Sequence, residues 1–131
     1  MANEILVVDD NSDIRVLITG ILKDYGLVVR EAANFDQAML EINKKLPDAA
    51  VIDVKLDKGD NDGIELLTHI KSKDDDIPVI MISGHANVQM AVDSLKLGAF
   101  EFIQKPFSSE RLLNFVKRAI ENVNLKKDKN I

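Results

Sequence analysis

Short apolar runs alternate along this chain with segments in which apolar residues recur at every third or fourth position. The runs cover positions 5–8, 27–31, 49–53, 79–83 and 99–104, and the first, ILVV, is typical of a strand buried on both faces of a parallel sheet. The segments between the runs have the spacing of helices with one buried face. Five such strand–helix units predict an α/β domain with helices on both faces of the sheet.

Residues at the helix ends support these elements. Asn11 or Ser12 is expected to cap the first helix, and Gly26 follows its end. Asn34 is expected to cap the second helix, and Gly98 to end the fourth. The helix limits therefore agree with the apolar spacing.

The fourth helix is expected to pack against the sheet through one apolar stripe. At about 100° per residue, Met90 and Leu97 each lie about 180° from Val88, so we expect these two side chains to face outward. The predicted buried stripe consists of Val88, Ala91, Val92 and Leu95.

The composition is that of one globular domain. The chain has 131 residues, of which 46% are hydrophobic and 30% charged, and its net charge of −5 argues against a nucleic-acid surface. Cysteine is absent, which excludes disulfides, thiolate nucleophiles and cysteine metal sites. The chain shows neither a signal-peptide pattern nor an apolar run as long as a membrane span. We therefore expect a cytosolic protein that contacts neither membranes nor nucleic acid.

Polar residues stand at the carboxyl ends of four predicted strands. Asp9 and Asp10 follow the first strand, and Asp53 ends the third. Ser83 ends the fourth strand, and Lys105 follows the fifth. Parallel strands end at one edge of the sheet, where ligands bind in open α/β folds, so we expect these five side chains to converge.

The expected cluster has a definite chemistry. Three carboxylates form a hard-ligand site suited to Mg²⁺ or Mn²⁺. An ammonium and a hydroxyl are suited to phosphoryl oxygens. A carboxylate can also be the nucleophile that forms an aspartyl phosphate.

Four fragments, LVVDD, VIDVKL, MISG and FIQKPF, resemble in order and spacing the receiver domain of two-component response regulators. The resemblance covers nearly the whole chain. The phrases MISGHANVQMAVDSLKLGAFEFIQKPF and LDKGDNDGIELL are similar to the NtrC and especially the NtrX-like subgroup of transcription regulators. The resemblance to receiver domains implies a flavodoxin-like, doubly wound sheet of five parallel strands in the order 2-1-3-4-5 with five helices. It also implies a signalling domain, not a conventional enzyme, that receives a phosphoryl group from a sensor histidine kinase.

The resemblance implies a role for each acid. Asp53 would be the phosphoacceptor, and Asp10, Asp53 and the Lys55 carbonyl would be direct Mg²⁺ ligands. Asp9 would hold a water of the metal. The acceptor and the metal site would therefore share one carboxylate.

The remaining residues of the motifs receive roles in the same way. Ser83 and Lys105 would bind the phosphoryl oxygens, and the peptide between Lys105 and Pro106 would be cis. Phe102 would be the aromatic side chain that turns inward when Ser83 moves on phosphorylation.

The chain departs from the family pattern in the loop after Asp53. Most receivers have a proline four residues after the acceptor, where this chain has Asp57, and Gly63 lies later than the usual glycine. The departure leaves the metal ligands intact. We expect a receiver domain over 1–124 and a charged tail or linker stub over 125–131, either in a stand-alone receiver or in a piece of a longer regulator.

Each site residue also has a purely structural interpretation. Asp9 or Asp10 alone could cap the following helix, and Asp53 or Ser83 could be a turn residue. A lysine before a proline is more often solvated than a ligand. The functional interpretation therefore depends on the five residues together.

Two other functions share this architecture. A phosphatase of the haloacid-dehalogenase type also uses an aspartyl phosphate and Mg²⁺, but it needs two aspartates two positions apart on the first strand, whereas Asp9 and Asp10 are adjacent. A flavodoxin-like mononucleotide binder expects a Ser/Thr/Gly-rich phosphate loop, and DDNSD would repel that phosphate. Spacing, not fold, separates these cases.

The outward side of the fourth helix suggests how a signal leaves the domain. Met90 and Leu97 would form an apolar pair, although single exposed apolar residues are ordinary on surfaces. In the family, this helix, the fifth strand and the last helix form the surface that changes on phosphorylation. We therefore expect a weak homodimer that phosphorylation strengthens, with Asp93 facing Arg111 or Arg118 of the second copy.

Overall fold

Each predicted strand–helix unit is present in the structure, a computed structural model that describes residues 3–57, 59, 61–84 and 88–129. The strands are β1 (Glu4–Val8), β2 (Val28–Ala32), β3 (Ala49–Asp53), β4 (Val79–Ser83) and β5 (Glu101–Gln104). The helices are α1 (Ser12–Asp24), α2 (Phe35–Lys44), α3 (Asp62–Lys73), α4 (Val88–Lys96) and α5 (Ser109–Lys129). Neighbouring strands are parallel in the order β2-β1-β3-β4-β5, which confirms the predicted fold.

The three central strands are the most deeply buried part of the sheet. Every residue of β3 and β4 is buried, as are residues 5–8 of β1. The edge strands β2 and β5 keep several residues partly or fully exposed. The central strands therefore hold their carboxyl ends firmly in place.

Two apolar layers attach the helices to the sheet. One layer contains Leu6, Ile52 and Met81 together with apolar residues of α2 and α3. The other contains Val7 and Ile82 together with apolar residues of α1 and α5. Because alternate residues of a strand point to opposite faces, each central strand contributes to both layers.

The helix ends follow the predicted residues. The side chain of Asn11 accepts two backbone N–H groups at the start of α1, and Asn34 caps α2. Gly26 and Gly98 follow α1 and α4 with φ angles of +96° and +104°, a conformation that favours glycine.

Strand β5 is shorter than the apolar run that predicts it. The strand begins at Glu101, two residues after the run begins. The Ala99 N–H instead donates to Ser94 O at 3.0 Å, so this residue completes the end of α4 before the chain enters the sheet.

Helix α5 extends beyond the predicted domain end at 124. The helix continues to Lys129, and Lys126 lies 3.1 Å from Asp76 in the turn before β4. Residues 125–129 of the predicted tail are therefore helical, while 130 and 131 lie outside the described residues. The domain boundary itself stays a prediction.

The predicted orientation of α4 is wrong. Val88 is 82% exposed and Leu95 47% exposed, whereas Ser94 is completely buried and Met90 packs against the core. Val92 is exposed as well. The apolar stripe of Val88, Ala91, Val92 and Leu95 therefore does not mark the buried side of this helix, and the small Ser94 side chain is the fully buried one.

Candidate functional site

Two buried carboxylates lie side by side at the carboxyl end of the sheet. Asp9 directly follows β1 and Asp53 ends β3, and the register that pairs Val8 with Ile52 brings them to the same level. Asp9 is completely buried and Asp53 is 6% exposed. Asp10 is exposed, and one carboxylate oxygen from each of the three acids lies within 4.8 Å of the others. The three acids therefore converge as the strand ends predict.

The Lys105 ammonium joins the two buried carboxylates. Its Nζ lies 2.8 Å from Asp53 Oδ2 and 2.9 Å from Asp9 Oδ2. The Lys105 N–H donates to Ser83 O at 2.8 Å, and the peptide between Lys105 and Pro106 is cis, as the resemblance implies. One cation thus offsets part of the repulsion between adjacent carboxylates.

The pKa values of both partners in this ion pair are raised, but for different reasons. Burial raises the pKa of the Asp53 carboxyl, the hydrogen bond from Lys105 lowers it, and the Asp9 charge raises it again. Burial alone would lower the pKa of Lys105, but its hydrogen bonds to Asp53 and Asp9 outweigh that effect and the pKa is raised. Lys105 therefore stays charged, and Asp53 holds a proton more tightly than a solvated aspartate does.

The acidic cluster fits a hard divalent cation. Three carboxylates face one ammonium, so the cluster keeps negative charge, and Mg²⁺ prefers carboxylate oxygens while retaining several of its waters. Asp10 is open to solvent, which leaves room for those waters. The Lys55 N–H donates to Asp53 Oδ1 at 3.3 Å, so the backbone of Lys55, whose carbonyl is the expected third direct ligand, runs beside the cluster.

Ser83 lies on β4, the strand next to β3, and Phe102 lies on β5, one strand further out. Asp53 pairs with Ile82, so Ser83 lies one residue further toward the carboxyl edge, where it is buried. Phe102 pairs with Met81 and packs partly buried against the core. Ser83 thus shares the edge with Asp53, whereas the switching role of Phe102 stays a prediction.

The loop after β3 makes two contacts that sequence reasoning missed. Asp57, at the position where most receivers have proline, accepts the Phe35 N–H at the start of α2 at 2.9 Å. Asp62 is buried and accepts the Leu56 N–H at 2.5 Å. The available signal was the Asp62–Gly63 pair at the expected start of α3, because an aspartate there is either a cap or a loop anchor.

Gly63 allows α3 to start directly against β3. Its N–H donates to Val54 O at 2.8 Å. A Cβ atom added to Gly63 would lie 1.9 Å from the backbone oxygen of Asp53, a distance that no side chain tolerates. The end of the longer loop therefore packs directly against the backbone of Asp53, which is possible because Gly63 has no side chain.

The five residues expected at a dimer face line two separate depressions. Met90, Asp93 and Leu97 line an open groove beside α3, with Met90 half-buried. Arg111 and Arg118 lie 5.4 and 5.5 Å from the centre of one aromatic ring of α5 and line a separate depression. Leu97 is exposed as predicted, and Val88, Val92 and Leu95 are exposed as well.

Known proteins match this fold and site over nearly the whole chain. The family model for the response regulator receiver domain matches residues 5–117. The chain is 43% identical over 128 residues to the nitrogen assimilation regulatory protein NtrX of Azorhizobium caulinodans, with 98% of this chain and 28% of that protein covered.

Two solved structures are similar as well. The receiver domain of NtrX from Brucella abortus has a TM-score of 0.82 and 44% identity, covering 89% of this chain and 98% of that one. The beryllofluoride-activated NtrC4 receiver domain dimer has a TM-score of 0.83 and 37% identity, covering 92% of this chain and 98% of that one.

The chain belongs to the response regulator receiver domain family of two-component systems. Within the family it is similar to the receiver part of NtrX-type regulators, and it spans about a quarter of the length of the curated NtrX protein. Receiver domains bind Mg²⁺ at an acidic pocket, which Asp9, Asp10 and Asp53 form here. These matches do not support the phosphatase alternative, and the chain is not a conventional enzyme. Among the described helices, none is both long and apolar enough to cross a membrane.

Proposed function

We propose that Asp53 accepts a phosphoryl group from a phosphohistidine of a sensor histidine kinase. One oxygen of the Asp53 carboxylate attacks the phosphorus, the P–N bond breaks, and the histidine nitrogen keeps the electron pair and is reprotonated. The product is an aspartyl phosphate. In a longer regulator, this change would control transcription.

The position of Lys105 is the observation that carries this proposal. Its ammonium already lies 2.8 Å from Asp53 Oδ2 and 2.9 Å from Asp9 Oδ2, at the edge that Ser83 shares. A phosphoryl group on Asp53 brings new oxygens to this place. The ammonium of Lys105 and the hydroxyl of Ser83 are the groups that would bind two of these oxygens.

The metal ligands of the proposal come from two strands and one loop. Asp10 and Asp53 would hold Mg²⁺ through their carboxylates, the Lys55 carbonyl would be the third direct ligand, and Asp9 would hold a metal-bound water. When bound, Mg²⁺ supplies positive charge that offsets the charge of the phosphoryl oxygens. The same groups would assist both the phosphorylation and the dephosphorylation of Asp53.

Mass spectrometry after incubation with acetyl phosphate and Mg²⁺ tests the phosphoacceptor. We expect one added phosphoryl group in the wild type and none in Asp53→Asn. Asp57→Asn is the matched control, because Asp57 lies in the following loop and contacts the start of α2 instead of the acidic cluster, and it should be modified normally. Equal modification of Asp53→Asn, or rapid turnover of small phosphoesters, would contradict the proposal.

The proposal includes a weak dimer that phosphorylation strengthens. The supporting observation is the outward side of α4, where Val88, Val92 and Leu95 are exposed, and the similar NtrC4 receiver was solved as a beryllofluoride-activated dimer. Of the pair expected at this face, Leu97 is exposed as well, whereas Met90 is half-buried against the core. Contacts of Ser83 and Lys105 with the phosphoryl group would favour the dimer-competent state.

Light scattering with beryllofluoride and Mg²⁺ tests the dimer. The wild type should approach the mass of two chains at high concentration, whereas Leu95→Lys should remain a monomer. Leu40→Lys is the matched control, because Leu40 is 68% exposed on α2, away from α4. An activated wild type that stays monomeric, or a Leu95→Lys protein that dimerises equally well, would exclude this face.

A further inference from the structure

One buried carboxylate near the site has no part in the proposed phosphoryl transfer. Asp62 is the first residue of α3 and is 5% exposed. A carboxylate is costly to bury unless hydrogen bonds satisfy it. The placement of Asp62 therefore calls for a function that its contacts can explain.

One contact of Asp62 is with a backbone group of the loop after β3. Its Oδ1 accepts the Leu56 N–H at 2.5 Å, and this hydrogen bond is buried. The Leu56 side chain is itself buried in the core. The side chain and the N–H of Leu56 are thus both held, which leaves the peptide group between Lys55 and Leu56 little freedom to rotate.

The peptide group held in this way is the one that carries the Lys55 carbonyl. In a trans peptide the C=O and the N–H point in opposite directions, and the bond from Lys55 to Leu56 is trans, because the cis bond in the described chain is the one before Pro106. A Leu56 N–H directed at Asp62 therefore directs the Lys55 carbonyl away from α3. The Lys55 N–H, at the other end of that residue, donates to Asp53 Oδ1 at 3.3 Å.

We propose that Asp62 is a positioning residue of the metal site, which orients the Lys55 carbonyl toward the cation by holding the Leu56 N–H. This inference rests on the proposed function, in which that carbonyl is a direct Mg²⁺ ligand. Asp62 does not touch the metal. It acts through one planar peptide group, and its loss frees the carbonyl to turn.

Asp57 provides a control in the same loop. Its carboxylate accepts the Phe35 N–H at 2.9 Å. Asp57 follows Leu56 in the chain, so its side chain does not hold the peptide group between Lys55 and Leu56. Removing the Asp57 side chain takes away one negative charge at a similar point of the loop, as removal of the Asp62 side chain does. A general effect of charge or of loop mobility would therefore appear in both variants.

Calorimetric titration with Mg²⁺ tests the inference on the wild type and four variants. Asp62→Ala should weaken Mg²⁺ binding about tenfold, the usual effect of losing an outer-shell partner. Asp62→Asn keeps an oxygen that accepts from Leu56 and should bind within about threefold of the wild type. Asp57→Ala should bind like the wild type, and Asp10→Asn should lose most of its affinity.

A spectroscopic readout separates orientation from general destabilisation. With ¹³C at the Lys55 carbonyl, Mg²⁺ should shift this resonance in the wild type and in Asp62→Asn, and shift it much less in Asp62→Ala. Urea unfolding without Mg²⁺ reports whether each variant is folded. If Asp62→Ala does not fold, Asp62→Leu, which also lacks an oxygen for the Leu56 N–H but fills a similar space, takes its place in the titration.

Each outcome has one meaning. Wild-type affinity in Asp62→Ala, or a loss in Asp62→Asn as large as in Asp62→Ala, would overturn the role of Asp62. Equal losses in Asp62→Ala and Asp57→Ala would overturn it as well. If Asp10→Asn binds Mg²⁺ as well as the wild type does, the proposed metal site fails instead, so the two failures are distinguishable.

Discussion

The acidic edge of the sheet and the helix α4 differ in how firmly the fold holds them. At the acidic edge, Asp9 and Asp53 are buried on central strands and Lys105 binds both. In α4, Ser94 is the buried residue, and its Oγ has no hydrogen-bond partner in the described part of the chain. The buried carboxylates of the acidic edge are therefore paired with a cation, whereas the buried hydroxyl of α4 has no hydrogen-bond partner among the described residues.

This difference assigns separate tasks to the two regions. A site that must hold a metal and a phosphoryl group needs side chains in fixed positions. An element that reports the reaction needs a second arrangement of similar free energy, and regions with few buried contacts can reach one at low cost. We therefore expect chemistry at the acidic edge and movement at α4.

The largest predicted effect tests how tightly the acidic edge is built. In Gly63→Ala the new Cβ would lie 1.9 Å from the Asp53 backbone oxygen, so we expect the free energy of unfolding to fall by about 3 kcal/mol or more. Gly20→Ala is the matched control, because no atom lies within 4 Å of the added Cβ. It lies inside α1 and should gain about 0.5–1 kcal/mol. Urea unfolding of both variants measures these changes, and an equally stable Gly63→Ala would refute the close packing.

The next prediction distinguishes the exposed Asp10 from the buried Asp9 in their effect on Mg²⁺ binding. Asp10 is a direct ligand in the proposal, so Asp10→Asn should weaken Mg²⁺ binding about 100-fold, while Asp9→Asn, which acts through a water, should lose about tenfold. Calorimetry without phosphate measures both constants. Equal affinity in the two variants and the wild type would exclude this division of roles.

The sequence predicted the acidic edge because strand direction alone determines it. In a parallel sheet every strand ends at the same edge, so Asp9, Asp53 and Lys105 converge whatever the details of packing. The contacts of Asp57 and Asp62 could not be predicted in this way. Their partners are backbone N–H groups that the folded loop brings near, and no spacing in the sequence encodes these contacts.

The orientation of α4 was predicted wrongly for a different reason. Apolar residues on one side of a helix usually mark its buried side, but in α4 three residues of the apolar stripe, Val88, Val92 and Leu95, are exposed. Ser94 is buried because it is small, and Met90 packs against the core. Size and fit against the sheet, not hydrophobicity, decided which side faces inward.

The third prediction follows from the raised pKa of Asp53. The folded protein binds this proton more tightly than the unfolded chain, so protonation of Asp53 stabilises the fold, and that stability is fully present below the ordinary pKa of 3.8. Between this value and the raised pKa, stability should decline as pH rises. In Asp53→Asn the side chain at position 53 does not titrate, so the free energy of unfolding of this variant should lack the decline that Asp53 causes. Urea unfolding with EDTA, from about pH 3 to pH 7, measures the difference between the two proteins, and parallel pH profiles would refute the raised pKa.

The smallest predicted effect concerns the hydroxyl buried under α4. Ser94 Oγ is completely buried without a partner in the described residues, so Ser94→Ala removes an unsatisfied polar group and adds a better helix former. We expect a gain of about 0.5–1 kcal/mol in the free energy of unfolding. The matched variant Ser72→Ala on α3 removes an exposed hydroxyl that bonds His69 O, so it should change stability by less than about 0.5 kcal/mol. Loss of stability in Ser94→Ala would mean that this hydroxyl is satisfied in solution and that α4 is held as firmly as the acidic edge.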